Sequence, residues 1–293
     1  MNSERDTGGY YDRLSRWTAV ARLFGYGGGR DRLTVHRALA DPRAGGRPTV
    51  TRLHDVLLET LPPLTHQRVL DAGCGLGGTM LAFATRGGGT FTGITLSEQQ
   101  ARIAREAAVR AKLDDRVRIL VQSYDTPAPA AHDIVIAIES LAHSSNPHVS
   151  LRAIAGRLAE GGLLAVVDDM PVAAAHGTRD LAVFKAGWRL PVLWTADELL
   201  AACEDCGLVP ITNRDLTAAL RPRDERRIAQ LETLNRVARR CAPTQGLRAM
   251  LDSYQGGLAL ERLYRHSLMQ YRLVIARKRY AAAVRGAVAN ASS

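Results

Sequence analysis

Val69-Leu-Asp-Ala-Gly-Cys-Gly-Leu-Gly-Gly78 is the stretch on which the reading of this chain turns. The apolar run Arg68-Val-Leu reads as a buried strand. It breaks at Asp71 into a turn with glycines at 73, 75, 77 and 78, and Thr79-Met-Leu-Ala-Phe-Ala84 continues as a helix. Strand, glycine turn and helix together bring bare backbone N–H groups close to a bound ligand. A dinucleotide site of this kind carries an acidic residue about 20 residues downstream. Here the next strand, Thr90-Phe-Thr-Gly-Ile-Thr95, runs into Leu96-Ser97 with no carboxylate, which counts against NAD. A glycine turn that serves packing alone is the competing reading.

Outward from this turn a βαβ rhythm covers residues 68 to 170. Strands are expected at 68–71, 90–95, Val117–Val121, Asp133–Ile138 and Gly162–Val167. The run Asp133-Ile-Val-Ile-Ala-Ile138 is continuously apolar, as in a parallel strand covered on both faces. One helix is expected to about 85, and another from Glu98 to Lys112 with Ser97 as its N-cap. Beyond Pro171 the rhythm changes. Residues 172–196 hold Trp188, Trp194 and a loop-like Arg189-Leu-Pro, followed by a helix over Ala196–Cys206 and a short strand over Leu208–Thr212. Residues 222–265 are charged and helical, interrupted at Pro243 and Gly246, and Gln270–Ala276 reads as a last strand. Ahead of the core, helices are expected over 10–24, Thr34–Leu39 and Pro48–Leu61, with Gly25–Gly29 breaking the first. No internal repeat is visible. The resulting division is a helical cap (1–60), a core (61–213) with a lid-like insertion at about 172–196, a helical lid insertion (214–266), the last core strand (267–279) and a tail (280–293).

Bulk properties exclude several classes. With 46% apolar residues among 293 the chain can bury a core, and no apolar run reaches membrane-helix length. The start, Met-Asn-Ser-Glu-Arg-Asp, lacks the apolar segment of a secretion signal, so a cytoplasmic protein is expected. Four cysteines are too few for a disulfide framework, and Cys203-Glu-Asp-Cys206 is a single pair without a partner pair, so no metal site is expected. The net charge of +10 comes from scattered arginines, densest at Arg277-Lys-Arg279, and aromatic content is 5%. Without a basic stripe interleaved with aromatics, neither nucleic acid nor membrane is an expected partner. A small-molecule acceptor is, and a homo-oligomer stays open.

The succession over 68–170 resembles the core of class I S-adenosylmethionine (SAM) methyltransferases. The stretch Gly93-Ile-Thr-Leu-Ser-x-x-Gln100 is similar to the version in tocopherol, sterol, cyclopropane-fatty-acid and terpenoid C-methyltransferases. This resemblance implies an α/β fold, a Rossmann-like seven-stranded sheet whose last two strands form an antiparallel hairpin around a helical lid insertion. The N-terminal helices would close over the pocket. It also implies that SAM is held by the loops at the carboxyl ends of the strands: Asp71, Gly73 and Gly75, then Thr95, Leu96, Ser97 and Gln100, then Gln122, Ser123 and Tyr124, with Glu139 and Tyr11 beside the donor. The commonest pattern has an acidic residue on the ribose, and polar groups such as Thr95 and Gln100 would replace it.

Glu139-Ser-Leu-Ala-His143 follows five apolar residues, so Glu139 is expected to be partly buried and raised in pKa toward a value useful in a general base. Binding the donor's ammonium or a backbone N–H is its alternative role. His143, four residues on, is the second catalytic candidate. Tyr10, Trp17, Trp188, Trp194 and Asp169 are the acceptor-side candidates; the pair Asp168-Asp169 suits a cationic acceptor, a metal, or simple capping. An alkene acceptor passes through a carbocation, which aromatic faces and one base would serve. The leading expectation is therefore C-methylation of an isoprenoid with Glu139 as base. The alternatives are an O- or N-methyltransferase of secondary metabolism and a SAM-binding, cyclase-like protein without methyl transfer. Were the acceptor a prenyl diphosphate, Arg37, Arg179, Arg189 or Arg221, with Mg²⁺, would bind it.

Overall fold

A computed structural model describes residues 33–126 and 132–280. Tyr10, Tyr11, Trp17, the helix expected over 10–24 and the tail from 281 lie outside them. The helix expected over Thr34–Leu39 is absent: residues 33–38 form an extended strap, and Leu39–Ala40 (β1) pairs antiparallel with Pro48–Thr49 (β2). Asp41 closes that hairpin, its carboxylate accepting from Arg43 N at 2.9 Å and Thr49 Oγ1 at 3.1 Å. The helix expected from Pro48 starts only at Thr51 (α1, Thr51–Thr60).

The core then runs as β3 (Arg68–Ala72), α2 (Gly78–Gly87), β4 (Thr90–Thr95), α3 (Glu98–Arg110), β5 (Val117–Val121), β6 (His132–Ile138), α4 (Pro147–Gly156) and β7 (Leu158–Pro171). It continues through α5 (Arg179–Trp188), α6 (Ala196–Asp205), β8 (Leu208–Asp215), α7 (Glu225–Arg240), α8 (Gln245–Arg265) and β9 (Met269–Lys278). Ser97 caps α3 as expected, its hydroxyl accepting from Gln100 N at 3.1 Å. The stretch after Pro171 is not irregular throughout: it contains a helix, α5, capped by Thr178 and burying Leu181 and Phe184.

The seven strands order as β5-β4-β3-β6-β7-β9-β8, and β9 runs antiparallel to both neighbours. This is the Rossmann-like sheet with a terminal hairpin, β8 and β9, interrupted by α7 and α8. Both faces are covered. Side chains such as Val69, Ile134, Ile136, Ala165 and Val167 pack toward α1, α2, α3, α5 and α8. Their neighbours Leu70, Val135, Ala137, Leu164 and Val166 pack toward α4 and α6. The period of two in each strand explains the continuous apolar runs. From β3 the chain moves outward to β4 and β5, then returns to place β6 on the other side of β3. That reversal opens a crevice at the carboxyl ends of β3 and β6, where open α/β sheets bind ligands. Among the described residues no helix is long and apolar enough to cross a membrane.

Candidate active site

The crevice has two walls. One is the glycine turn after β3, where Gly73, Gly75 and Gly77 adopt φ of 97°, 52° and 82°. Gly73 N and Cys74 N both donate to Ile94 O, at 3.0 and 2.9 Å, folding the turn back onto β4. A Cβ on Gly73 would lie 2.5 Å from Ser140 Cβ. Ser140 in turn donates to Ala72 O at 2.6 Å, so the ends of β3 and β6 meet through this contact. Among the described residues only Val35 Cγ2 comes near Gly75, at 3.8 Å, which leaves a floor of bare backbone. Asp71 ends β3 buried, takes no hydrogen bond from a described residue, and burial pushes its pKa up to about 7. A bare floor beside a desolvated acid fits the amino-acid end of SAM, whose ammonium would supply the missing counter-charge.

The remaining donor-side candidates line the same end of the sheet. Thr95 is buried; its hydroxyl donates to Gln100 Oε1 at 2.9 Å and accepts from Ser97 N at 3.2 Å. Thr95 therefore sets the side chain of Gln100, which is half-buried. Leu96 is half-buried and Ser97 is spent on capping α3. Gln122 N donates to Thr95 O at 3.0 Å, Ser123 Oγ accepts from Asp125 N at 3.1 Å, and Tyr124 OH donates to Ser140 O at 3.3 Å.

The other wall is assembled from distant segments. Glu139 leaves β6 in a left-handed conformation, φ 48°, with its N–H donated to Val167 O at 2.8 Å. Its Oε1 accepts from Arg37 N and from Tyr271 OH, both at 2.8 Å. Burial raises the Glu139 pKa; the Arg37 charge opposes that rise and Asp169 reinforces it. The Arg37 guanidinium makes a two-pronged pair with Asp169, 2.9 Å from Nε to Oδ1 and 2.6 Å from Nη2 to Oδ2. It also lies 5.7 Å from the Trp188 ring centre and 5.6 Å from that of Tyr264. Tyr264 OH donates to Asp169 Oδ1 as well. A close crossing of α5 and α8 brings these rings in: a Cβ on Gly187 would lie 2.5 Å from Asp252 O, and one on Gly256 2.8 Å from Trp188 Cδ1. His143 sits half-buried in the short turn Leu141–His143, and burial lowers its pKa to about 4, so it is neutral at pH 7.

Three sequence expectations need revision here. Asp168 and Asp169 do not converge, because alternation along β7 sends them to opposite faces. Asp169 meets Arg37 and Tyr264, whereas Asp168 Oδ1 accepts from Asp169 N at 2.9 Å. Trp194 is separated from Trp188 in the same way: it packs with the α4 and α6 cluster, edge-on to His148 at 5.0 Å. Of the arginines considered for a diphosphate, Arg179, Arg189 and Arg221 are exposed, and Arg37 alone turns into the site, already paired. Tyr264 and Tyr271, which no motif marked, are the additions. Their only sequence signal is position: both carry a hydroxyl into otherwise apolar patterns.

The strap that supplies Arg37 is pinned along its length. A Cβ on Gly78 would lie 2.3 Å from Thr34 Oγ1, so the strap crosses directly over the start of α2. His36 Nε2 lies 3.0 Å from His54 Nε2, and both imidazoles are buried. Among the described residues no group of three or more His, Cys, Asp or Glu could hold a metal ion.

Comparison with known proteins agrees with this fold. The family described as "Methyltransferase domain" matches residues 70–166. The 27-O-demethylrifamycin SV methyltransferase of Amycolatopsis mediterranei (strain S699) is 34% identical over 186 residues, covering 62% of this chain and 68% of the relative. Among solved structures, a geranyl diphosphate methyltransferase in complex with GPP and sinefungin superposes with TM-score 0.71 at 22% identity, over 94% of this chain and 99% of that one. The [4+2]-cyclase SpnF does so with TM-score 0.70 at 24% identity, over 95% and 97%.

Proposed function

The chain belongs to the class I SAM-dependent methyltransferases, and we propose that it methylates a hydroxyl oxygen of a small, neutral natural product. The observation that carries this reading is the position of Glu139. It lies across the β3–β6 crevice from the glycine floor, next in sequence to Ser140, which touches Gly73. SAM supplies an electrophilic methyl group on a sulfonium centre. The protein has to align the acceptor with that methyl, exclude water and accept the proton that the acceptor loses. As the acceptor oxygen bonds to the methyl carbon and the sulfur–carbon bond breaks, the hydroxyl proton passes to Glu139. Burial of Glu139 favours its holding that proton. The rifamycin relative, named for an O-demethylated substrate, supports oxygen as the target. Of the arginines considered for an anionic acceptor, Arg37 is the one turned into the site and it is paired with Asp169, which supports a neutral acceptor.

A second reading, C-methylation of an isoprenoid, is favoured by the rings of Trp188 and Tyr264, which flank a cation in this structure. Incubation with methyl-deuterated SAM and a panel of hydroxylated polyketides, isoprenoid alcohols and prenyl diphosphates separates the two. A labelled methoxy group is the expected product. Label on carbon supports the second reading, and conversion without label, as a cyclase-like protein would give, overturns both.

A further inference from the structure

We propose that Tyr271, on the last strand, is the positioning residue for Glu139, fixing Oε1 so that Oε2 is the oxygen that receives the acceptor's proton. The inference rests on Glu139 as base and adds which of its oxygens works and what holds it. Both hydrogen bonds to the carboxylate end on one atom: Tyr271 OH and Arg37 N each lie 2.8 Å from Oε1. No described residue donates to Oε2, and that oxygen is not among the sealed, unpaired side-chain atoms, so it is the one left open to an acceptor. A carboxylate held by one oxygen has a fixed plane, and a fixed plane is what a proton transfer of good geometry requires.

The topology makes Tyr271 suited to this. In the antiparallel β7–β9 pair Tyr271 stands opposite Asp169, so both side chains point to the same face. Tyr271 is fully buried, its peptide N–H takes Thr217 Oγ1 as acceptor at 2.9 Å, and its peptide oxygen accepts from Leu216 N at 2.8 Å. Its ring therefore has no freedom to leave Glu139. Burial and the neighbouring Glu139 and Asp169 raise the phenol's pKa well above the ordinary value, which keeps it a donor at working pH.

The charged and titratable groups around Glu139 are Arg37 from the strap, Asp168 and Asp169 from β7, Tyr264 from α8, Tyr271 from β9 and His143 from its own loop. Removing the Tyr271 hydroxyl withdraws a donor from the charged carboxylate and leaves the other groups in place. Tyr271→Phe is thus expected to move the acid limb of the kcat–pH profile upward by about one to two pH units, the effect of one hydrogen bond to a charged group. It should also lower kcat at neutral pH while leaving SAM affinity unchanged.

The experiment measures kcat–pH profiles and SAM binding by calorimetry for the wild type, Tyr271→Phe and Glu139→Gln on the full chain. An inactive Glu139→Gln together with an unshifted acid limb in folded, SAM-binding Tyr271→Phe overturns the positioning role alone. An active Glu139→Gln overturns the base assignment itself. Should Tyr271→Phe not fold, Thr217→Ala, which loosens the strand beside Tyr271, is expected to give a smaller upward shift of the same limb, and no shift overturns the proposal.

Discussion

The two walls of the crevice are built by opposite means. The donor wall is local: Asp71, the glycine turn and the start of α2 are contiguous in sequence, and the backbone itself forms the surface. The acceptor wall is distributed: Arg37, Glu139, Asp169, Trp188, Tyr264 and Tyr271 come from six segments, and side chains form it. A backbone surface tolerates no added atoms, whereas a side-chain surface tolerates exchange as long as charges and donors stay matched. That contrast suits an enzyme with a constant methyl donor facing an acceptor particular to each relative.

The sharpest break of the comparison is Gly73→Ala. The new Cβ meets Ser140 Cβ at 2.5 Å, at a φ of 97° that side chains avoid. The combined overpacking and backbone strain should cost about 2–5 kcal/mol and abolish SAM binding. Retained SAM affinity in calorimetry, with an unaltered melting temperature, would show that the donor wall is not rigid. Next in size, Glu139→Gln should cut turnover by about 10² or more and keep SAM affinity within a few-fold. A collapse of SAM binding with turnover intact would move Glu139 from the acceptor wall to the donor wall.

Asp71 tests the donor wall through pH. Its folded-state pKa is about 7, raised by burial from 3.8, so the folded protein holds a proton that the unfolded chain releases. Stability from this group is present in full below pH 4 and is lost as pH rises through 7. The loss in donor-free protein is on the order of 4 kcal/mol at most. Denaturant titrations across this window should give a flatter pH dependence for Asp71→Asn than for the wild type; parallel curves would remove Asp71 from the account. The smallest effect is expected from Gln100→Ala, about a three- to tenfold loss of SAM affinity with kcat unchanged, the scale of one neutral hydrogen bond.

The same contrast decides what is legible in the sequence. The strand ends and the glycine turn were legible because each is a local signal, an apolar run closed by residues that permit a tight turn. Ser97 was legible for the same reason. The strap over 34–39 was not: Val35 and Leu39 stand at helical spacing, but the chain is pulled extended by the β1–β2 hairpin and by His36 and Arg37 reaching opposite ways. Tyr264 and Tyr271 read as core positions of a helix and a strand. What turns them into site residues is the insertion of β9 between β7 and β8, a long-range pairing that no window of sequence contains. Asp168 and Asp169 were legible as carboxylates at a strand end, and the period of two that separates them was available in the sequence itself.

One consequence of the strap concerns both walls. Because it is extended, Val35 reaches over Gly75 while Arg37, two residues on, reaches Asp169 and Glu139. A single short length of chain thus spans both walls, so a substitution that loosens it would disturb the two together.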